Sequence, residues 1–228
     1  MQIAGLQKLT LLDFPGKMAC IVFTHGCNFR CPFCHNAPLV VDERGAAYDE
    51  EAFFAFLAKR RGILDGVVIT GGEPLLRSDL AEFIQRIRAA GYLVKLDTNG
   101  SFPDRLAALI EKGLLDYIAM DVKTTLGEYD HVCGVRVDVE KIKESIRLIC
   151  ASGVPHEFRT TVVKGLHTKE DVVSVAKMLS GEPYYLQGFV DSGHLIGEGC
   201  AAFTKEEMHE IHDAAKAVSD TCFLRGIE

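Results

Sequence analysis

The sequence lacks any long hydrophobic run, and it carries no excess of positive charge. No apolar stretch approaches the roughly 18 residues that a transmembrane helix requires. Residues 1–17 also lack the basic segment followed by a long apolar one that marks a secretory signal. The net charge of −7 provides no basic field that would attract nucleic acid. These absences predict a cytoplasmic protein that binds neither membranes nor nucleic acid.

The composition that remains is that of a folded globular protein. Hydrophobic residues make up 48% of the chain and charged residues 25%, which argues against disorder. A length of 228 residues favours one domain with one sizeable core. We expect this single domain to consist of an N-terminal extension (1–18), a core (19–190) and a C-terminal loop and helix (191–228).

Apolar, β-branched runs alternate with amphipathic segments along the chain. The predicted strands are 19–24, 66–70, 92–96, 117–120, 157–163 and 184–190. The predicted helices are 49–61, 79–90 capped by Ser78, one opened by Ser101 and Pro103, 139–151 capped by Asp138, one with a capping box at Thr168 and Asp171, and one opened by Thr204 and Glu207.

This alternation predicts a parallel sheet with right-handed crossovers and helices outside. Six βα units are fewer than the eight of a closed barrel, so an open doubly wound sheet and a curved partial barrel both satisfy the pattern. Residues 2–12 are expected to form a hairpin with the first strand, and 222–225 are expected to add an edge strand.

Three of the eight cysteines lie close together directly after the first predicted strand. Cys27, Cys31 and Cys34 have the spacing CxxxCxxC, which brings three thiols to one loop. A structural zinc site normally has four protein ligands, so three thiols indicate a metal centre with an open coordination position. A zinc site or an ordinary turn are the alternatives. The other cysteines are expected to be reduced, as in a reducing compartment, and to pack in the core.

In parallel α/β folds, ligands bind at the carboxyl ends of the strands. The loops after the first four strands contain CNFRCPFCHN, GGEP, DTNG and DVK. Taken singly, the last three are ordinary turns or solvated ion pairs. A buried Arg159 on the next strand requires an anionic partner, which is either a ligand or a structural carboxylate.

The cysteine spacing, with the aromatic Phe33 before the last cysteine, resembles the cluster loop of the radical S-adenosylmethionine (SAM) superfamily. The GGEP, TNG and DVK segments follow in the order found in that superfamily. The resemblance implies a (β/α)6 partial TIM-type barrel, one [4Fe-4S] cluster on Cys27, Cys31 and Cys34, and SAM chelating the fourth iron. The implied SAM-contacting residues are Phe33, His35, Gly71, Gly72, Glu73, Pro74, Asp97, Thr98, Asn99, Asp121, Lys123, Arg159 and Gln187.

The resemblance also assigns individual roles within this set. Glu73 is expected to accept from the SAM ammonium, and Arg159 to face its carboxylate. Gln187 is expected to read adenine or to close the barrel interior. Asp97 and Asp121 are expected to hold a cation together.

A finer resemblance is carried by TLLDFPGK (10–17) and HGCNFRCPFCHN (25–36). These resemble activating proteins of anaerobic ribonucleoside-triphosphate reductase. The resemblance implies reductive cleavage of SAM, fed by a flavodoxin- or ferredoxin-type donor, to a 5'-deoxyadenosyl radical that takes a Cα hydrogen from a glycine of the partner. Six strands would leave a lateral gap through which that glycine enters.

No cysteine lies between Asn36 and Gly66, so a single cluster is expected. Three alternatives remain at this point: an activase of another glycyl radical enzyme, a radical SAM enzyme acting on a small molecule such as a deazapurine precursor, and a non-enzymatic zinc-binding scaffold. The sequence assigns no role to Cys133, Cys200 or His194.

Overall fold

A computed structural model describes residues 1–41, 48–191 and 193–227. Its strands are β1 (Ile3–Thr10), β2 (Ala19–Thr24), β3 (Gly66–Gly71), β4 (Leu93–Thr98), β5 (Tyr117–Asp121), β6 (His156–Val162), β7 (Tyr184–Gly188) and β8 (Cys222–Arg225). Its helices are α1 (Ala37–Val41), α2 (Glu50–Ala58), α3 (Leu80–Ala89), α4 (Pro103–Glu111), α5 (Tyr129–Cys133), α6 (Val139–Ala151), α7 (Lys169–Met178) and α8 (Lys205–Lys216), with a 3-10 turn at Pro74–Leu76.

All eight strands belong to one sheet in sequential order from β1 to β8. β1 is antiparallel to β2, and every later pair is parallel. The described residues show no pairing between β1 and β8, so the sheet curves into a partial barrel that is open along one side. The predicted partial barrel, N-terminal hairpin and edge strand are confirmed.

The strands alternate their side chains between the helical layer and the barrel interior. Outward residues such as Val67, Ile69 and Phe158 pack beneath the helices in one continuous core. The inner face of β2 and β3 forms a smaller apolar cluster of Phe14, Ala19, Ile21 and Val68. Phe14 comes from the TLLDFPGK segment and closes this end of the barrel, whereas Leu11 and Leu12 of the same segment are exposed.

The helix ends differ from the sequence prediction in two places. The capping box at Thr168 is present as predicted, and Thr204 with Glu207, predicted to open the last helix, also forms a capping box. The prediction of Ser78 as a cap is wrong, because α3 is preceded by Asp79 and no side chain caps it. α4 begins at Pro103 as predicted, but it is preceded by Phe102 with no side-chain cap.

The short helices α1 and α5 and the 3-10 turn were not predicted. Each has five residues or fewer, too short for a helical hydrophobic period to show. In the described part of the chain, no helix combines the length and apolarity needed to cross a bilayer.

Candidate active site

A cavity of about 380 Å³ opens at the carboxyl ends of the parallel strands. It is lined by all the predicted site residues except Pro74: Cys27, Cys31, Phe33, Cys34, His35, Gly71, Gly72, Glu73, Asp97, Thr98, Asn99, Asp121, Lys123, Arg159 and Gln187. Pro74 is buried at the first position of the 3-10 turn, where its fixed φ suits a helical start. It does not line the cavity, and its expected contact with SAM stays a prediction.

The cysteine loop is held in place by backbone contacts rather than by regular structure. The Cys34 amide donates to the Cys31 carbonyl at 3.1 Å, which closes a tight turn between the second and third thiols. The Arg30 amide donates to the Cys133 carbonyl at the end of α5 at 2.8 Å. Gly134 follows in the left-handed region, and a Cβ there would lie 2.5 Å from the Arg30 carbonyl oxygen. α5 thus packs directly against the loop.

The three thiols differ in their surroundings. Burial raises the pKa of Cys27 to about 11 and also raises that of Cys34. A hydrogen bond from the Cys133 thiol, assisted by the Lys123 cation and opposed by burial, lowers the pKa of Cys31 to about 7. Cys31 is therefore the thiol most readily ionised near neutral pH.

The GGEP segment packs against Thr24 and Gly26, which lead into the cysteine loop. Gly72 donates to the Thr24 carbonyl at 2.9 Å, and Glu73 donates its amide to the Gly26 carbonyl at 2.8 Å. A Cβ on Gly72 would lie 1.8 Å from the Gly26 oxygen, so no larger residue fits. The Gly71 carbonyl accepts from the Asn36 side chain at 2.9 Å.

The Glu73 carboxylate is held by three donors from neighbouring loops. It accepts from the Leu75 amide at 3.0 Å, the Thr98 hydroxyl at 2.8 Å and the Asn99 amide at 2.7 Å. The side chain is fully buried, and this burial raises its pKa to about 7 despite the three hydrogen bonds. The carboxylate thus connects the DTNG loop to the GGEP turn, and its expected contact with the SAM ammonium stays a prediction.

Asn99 extends this network to the cysteine loop. Its side-chain amide donates to Asn28 Oδ1 at 3.0 Å, and Asn28 in turn donates to the Ser101 hydroxyl at 2.9 Å. The Ser101 hydroxyl closes the triangle by donating to Asn99 Oδ1 at 2.6 Å. The Asn99 amide nitrogen also lies 3.8 Å from Cys27 Sγ. The loops of β2, β3 and β4 therefore form one connected unit.

Charged side chains from β4, β5 and β6 form a continuous series across the cavity, which we call the ionic ladder: Lys95, Asp97, Arg159, Asp121 and Lys123. Arg159 donates to Asp97 at 3.2 Å and to Asp121 at 2.9 Å. Lys95 binds the other oxygen of Asp97, and Lys123 lies 3.0 Å from the other oxygen of Asp121. The ladder contains one more cation than carboxylate.

The contacts within the ladder bear on two predictions: the anionic partner of Arg159, and a cation held by Asp97 and Asp121. Arg159 takes its anionic partners from the protein, since both Asp97 and Asp121 bind it and Glu157 lies 3.9 Å away. Burial raises the pKa of Asp121, but the adjacent Arg159 and Lys123 cations outweigh this and hold it well below its usual range. Each of the two carboxylates pairs with two protein cations, and the cation expected beside Asp97 and Asp121 stays a prediction.

Some residues of the site were missed because nothing in their local sequence marks them. His167, from the turn before α7, donates to the Lys123 carbonyl at 2.8 Å and packs edge-on against Phe33 at 6.2 Å. Cys133 is fully buried and contacts Cys31. Gly197, in the loop after β7, donates to the Pro32 carbonyl at 3.0 Å. His194 in that loop is exposed and does not line the cavity.

The family model for the radical SAM superfamily matches residues 21–179. The chain belongs to the radical SAM superfamily. It is therefore an enzyme, and the alternative of a non-enzymatic zinc scaffold is wrong. Membership in this superfamily implies a [4Fe-4S] cluster and SAM as cofactors.

Relatives within the superfamily extend the match. A Methanocaldococcus jannaschii protein, provisionally named a glycyl-radical enzyme activating enzyme, is 34% identical over 99% of this chain and 96% of its own length. A Thermococcus kodakarensis protein, provisionally named a GTP 3',8-cyclase, is 31% identical over 68% of this chain, but only 52% of that relative is covered.

Solved structures agree on the fold. A domain of pyruvate-formate lyase-activating enzyme from Bacteroides vulgatus has a TM-score of 0.55 at 18% identity, covering 71% of this chain and 99% of that domain. Streptococcus suis SuiB bound to the precursor peptide SuiA has a TM-score of 0.73 at 13% identity, covering 90% of this chain and 48% of SuiB.

The geometry of this radical SAM site fits a cluster better than a single zinc ion. A tetrahedral zinc with Zn–S bonds of about 2.3 Å needs its sulfurs about 4 Å apart. Among the described residues, the three loop thiols are not a group whose ligand atoms all lie within 4.8 Å of one another. A wider separation is what a multi-iron centre requires.

His35 does not supply a fourth ligand to the thiols. Its Nε2 lies 2.7 Å from the Val190 carbonyl oxygen, and its ring stacks on Phe189 with centroids 5.7 Å apart. These contacts connect the cysteine loop to the end of the barrel. The thiols therefore form a set of three soft donors facing the cavity, and this set fits the open coordination of the superfamily cluster.

Proposed function

We propose that the protein is a radical SAM activase that generates a glycyl radical in a partner enzyme. The observation that carries this proposal is the cysteine loop opening into a cavity bounded by glycine backbone on one side and the ionic ladder on the other. The full-length similarity to a relative named as an activating enzyme supports the activase assignment. The bound cluster would supply one electron for cleavage of SAM to methionine and a 5'-deoxyadenosyl radical.

In this proposal, Cys27, Cys31 and Cys34 hold the cluster, and Phe33 packs behind the loop. The backbone of Gly71 and Gly72, together with the Glu73 carboxylate, lies beside the SAM ammonium. The surplus positive charge of the ladder favours the SAM carboxylate on the side of Lys123. Asp97, Thr98 and Asn99 of the β4 loop shape the wall between these groups.

Gln187 and Thr161 lie opposite each other on β7 and β6 and line the far wall of the cavity. Amide and hydroxyl groups there suit hydrogen bonds to adenine and ribose. The open side of the barrel between β1 and β8 gives a glycine-bearing loop of the partner a route to the cavity.

We further propose anaerobic ribonucleoside-triphosphate reductase as the partner and a flavodoxin- or ferredoxin-type protein as the electron donor. The TLLDFPGK and HGCNFRCPFCHN segments support this partner. All eight cysteines are free thiols, which supports our proposal of a reducing, cytoplasmic compartment. We also propose that residues 1–228 form a single domain.

Anaerobic reconstitution tests the proposal in two steps. The first step measures iron content and SAM cleavage under reducing conditions, and we expect about four iron atoms per chain and formation of 5'-deoxyadenosine. The second step adds the reductase and records its EPR spectrum, in which we expect a glycyl doublet. SAM cleavage without a glycyl signal in the complex would exclude this partner while leaving the radical SAM chemistry intact.

A small-molecule substrate is the second candidate, and the similarity to GTP cyclases favours it. The chain spans only about half of that relative's length. Product analysis with GTP or a deazapurine precursor in place of the reductase distinguishes the two candidates.

A further inference from the structure

A second group of metal-binding side chains lies at the opposite end of the barrel from the cavity. Cys150 near the end of α6, His156 at the start of β6 and Glu182 before β7 converge so that their ligand atoms all lie within 4.8 Å of one another. His156 is three residues upstream of Arg159, about 10 Å along the strand, and it points to the outer face. This group is therefore separate from the proposed SAM site.

The hydrogen bonding of His156 fixes which ring nitrogen faces the group. Nδ1 lies 2.9 Å from the Val154 carbonyl oxygen, which can only accept, so Nδ1 carries a hydrogen. Nε2 then points at Glu182 Oε2, 3.0 Å away. A neutral imidazole would place its Nε2 lone pair against a carboxylate lone pair, so a cation between them is favoured. That cation is either a proton on Nε2 or a metal ion.

The same arrangement is what a metal-bound histidine normally shows. Histidine ligands usually donate their other ring N–H to a backbone carbonyl or carboxylate, which orients the ring and keeps the ligating nitrogen deprotonated. The edge of the His156 ring also packs against Phe158, with centroids 5.5 Å apart at 71°, which restricts its rotation. The ring is therefore pre-oriented with Nε2 directed at Glu182.

Cys150 supplies the third donor and the chemical selectivity. Its sulfur lies within 4.8 Å of a Glu182 carboxylate oxygen. Its exposed position lets the side chain move the further distance of about 1 Å that bonds of about 2.0 to 2.3 Å require. One sulfur, one imidazole nitrogen and one carboxylate oxygen suit zinc, whereas magnesium and calcium prefer oxygen alone.

We propose that Cys150, His156 and Glu182 form a zinc site with a solvent molecule as the fourth ligand. Binding displaces the thiol proton of Cys150 and any proton shared between His156 and Glu182, so zinc uptake releases protons to solvent. The ion joins the end of α6, the first residue of β6 and the segment between α7 and β7. It stabilises the closed end of the barrel and takes no part in SAM cleavage.

Anaerobic titration of the cluster-loaded enzyme with zinc chloride tests this site. We expect one zinc per chain to be retained after desalting in addition to the cluster iron, with a rise in the unfolding temperature. Cys150→Ser, His156→Asn and Glu182→Gln should each weaken zinc binding at least about tenfold. The control Cys200→Ser/His212→Asn removes one cysteine and one histidine elsewhere and should bind zinc as the parent does.

X-ray absorption at the zinc edge provides a readout that does not depend on variants folding. We expect one sulfur and about three nitrogen or oxygen neighbours. An all-sulfur shell would place the zinc in the cysteine loop and overturn the proposal. Absence of retained zinc in the cluster-loaded parent, or equal zinc in Glu182→Gln and the control, would overturn it as well.

Discussion

The two halves of the barrel interior line one cavity with opposite chemistry. The half formed by β2, β3 and their loops presents the three thiols and glycine backbone above an apolar floor of Phe14, Ala19, Ile21 and Val68. The half formed by β4, β5 and β6 presents the ionic ladder. We call them the thiol half and the ionic half.

The difference shows which half depends on a cofactor. Every carboxylate of the ionic ladder has protein cations within 3.2 Å, so this half is held in place without any ligand. The thiols have no comparable set of partners, and burial raises the pKa values of Cys27 and Cys34. The ionic half therefore has its charges paired within the protein, whereas the loop that carries the thiols is held by backbone contacts and offers its three thiols as ligands for iron.

Removal of one thiol should produce the largest effect. In Cys34→Ala the cluster loses one of its three protein ligands, so we expect SAM cleavage to fall by more than about 10³-fold, or about 4 kcal/mol. Iron analysis and 5'-deoxyadenosine formation measure this. Cys200→Ser is the matched control, since Cys200 is partly exposed and does not line the cavity. If Cys34→Ala retained its full iron content, Cys34 would not be a ligand of the cluster.

Breaking the ionic ladder should lower stability even without cofactors. Asp121→Asn leaves Arg159 and Lys123 close together without their shared carboxylate, and we expect a loss of about 3 kcal/mol in the free energy of unfolding. Urea unfolding of the cluster-free protein measures it. Asp213→Asn, at an exposed site 3.7 Å from His212, should change stability by less than about 0.5 kcal/mol. A similar small change for Asp121→Asn would show that the ionic half is not preformed.

The junction between the halves can be tested through steric fit. Gly72→Ala would place a Cβ 1.8 Å from the Gly26 oxygen, so the GGEP turn must separate from the cysteine loop, at a cost of about 2.5 kcal/mol. Gly127→Ala is the control, because a Cβ there meets nothing within 4 Å and stability should be unchanged or slightly higher. Equal unfolding midpoints for the two variants would contradict the close approach of the loops.

The sequence allowed the location of the site to be predicted, because parallel topology brings every strand's carboxyl end to one edge. Cys27, Gly72, Asp97 and Lys123 were grouped correctly on that basis alone. Periodicity gives the face on which a residue lies, but not the partner that its side chain reaches. The partners that Glu73 and Arg159 have in the folded protein were therefore not predicted, because they lie up to 62 residues away along the chain.

A similar limit applies to the zinc site and the supporting residues. Cys150 and Glu182 are separated by a strand and a helix, and neither belongs to a recognisable spacing motif. Cys133 and His167 contact the cysteine loop from α5 and from the turn before α7. These residues come together only because the helices and strands that carry them pack together. No local sequence pattern predicts such contacts.

Glu73 joins the two halves, and its titration gives the smallest effect that we expect to resolve. Its pKa is raised by burial from 4.5 to about 7, so the folded state binds a proton more tightly than the unfolded chain. Between pH 5 and pH 7 the folded protein must release that proton, and its stability should fall by about 2 kcal/mol as the pH rises.

Urea unfolding of the parent and of Glu73→Gln across that range isolates this effect. Gln cannot ionise, so the variant should lack this part of the pH dependence, although its amide nitrogen cannot accept from Asn99 or Thr98 and lowers stability at every pH. Parallel stability profiles for the two proteins would mean that Glu73 is already ionised at pH 5. The three donors around it would then outweigh its burial, and the junction between the halves would carry a permanent negative charge.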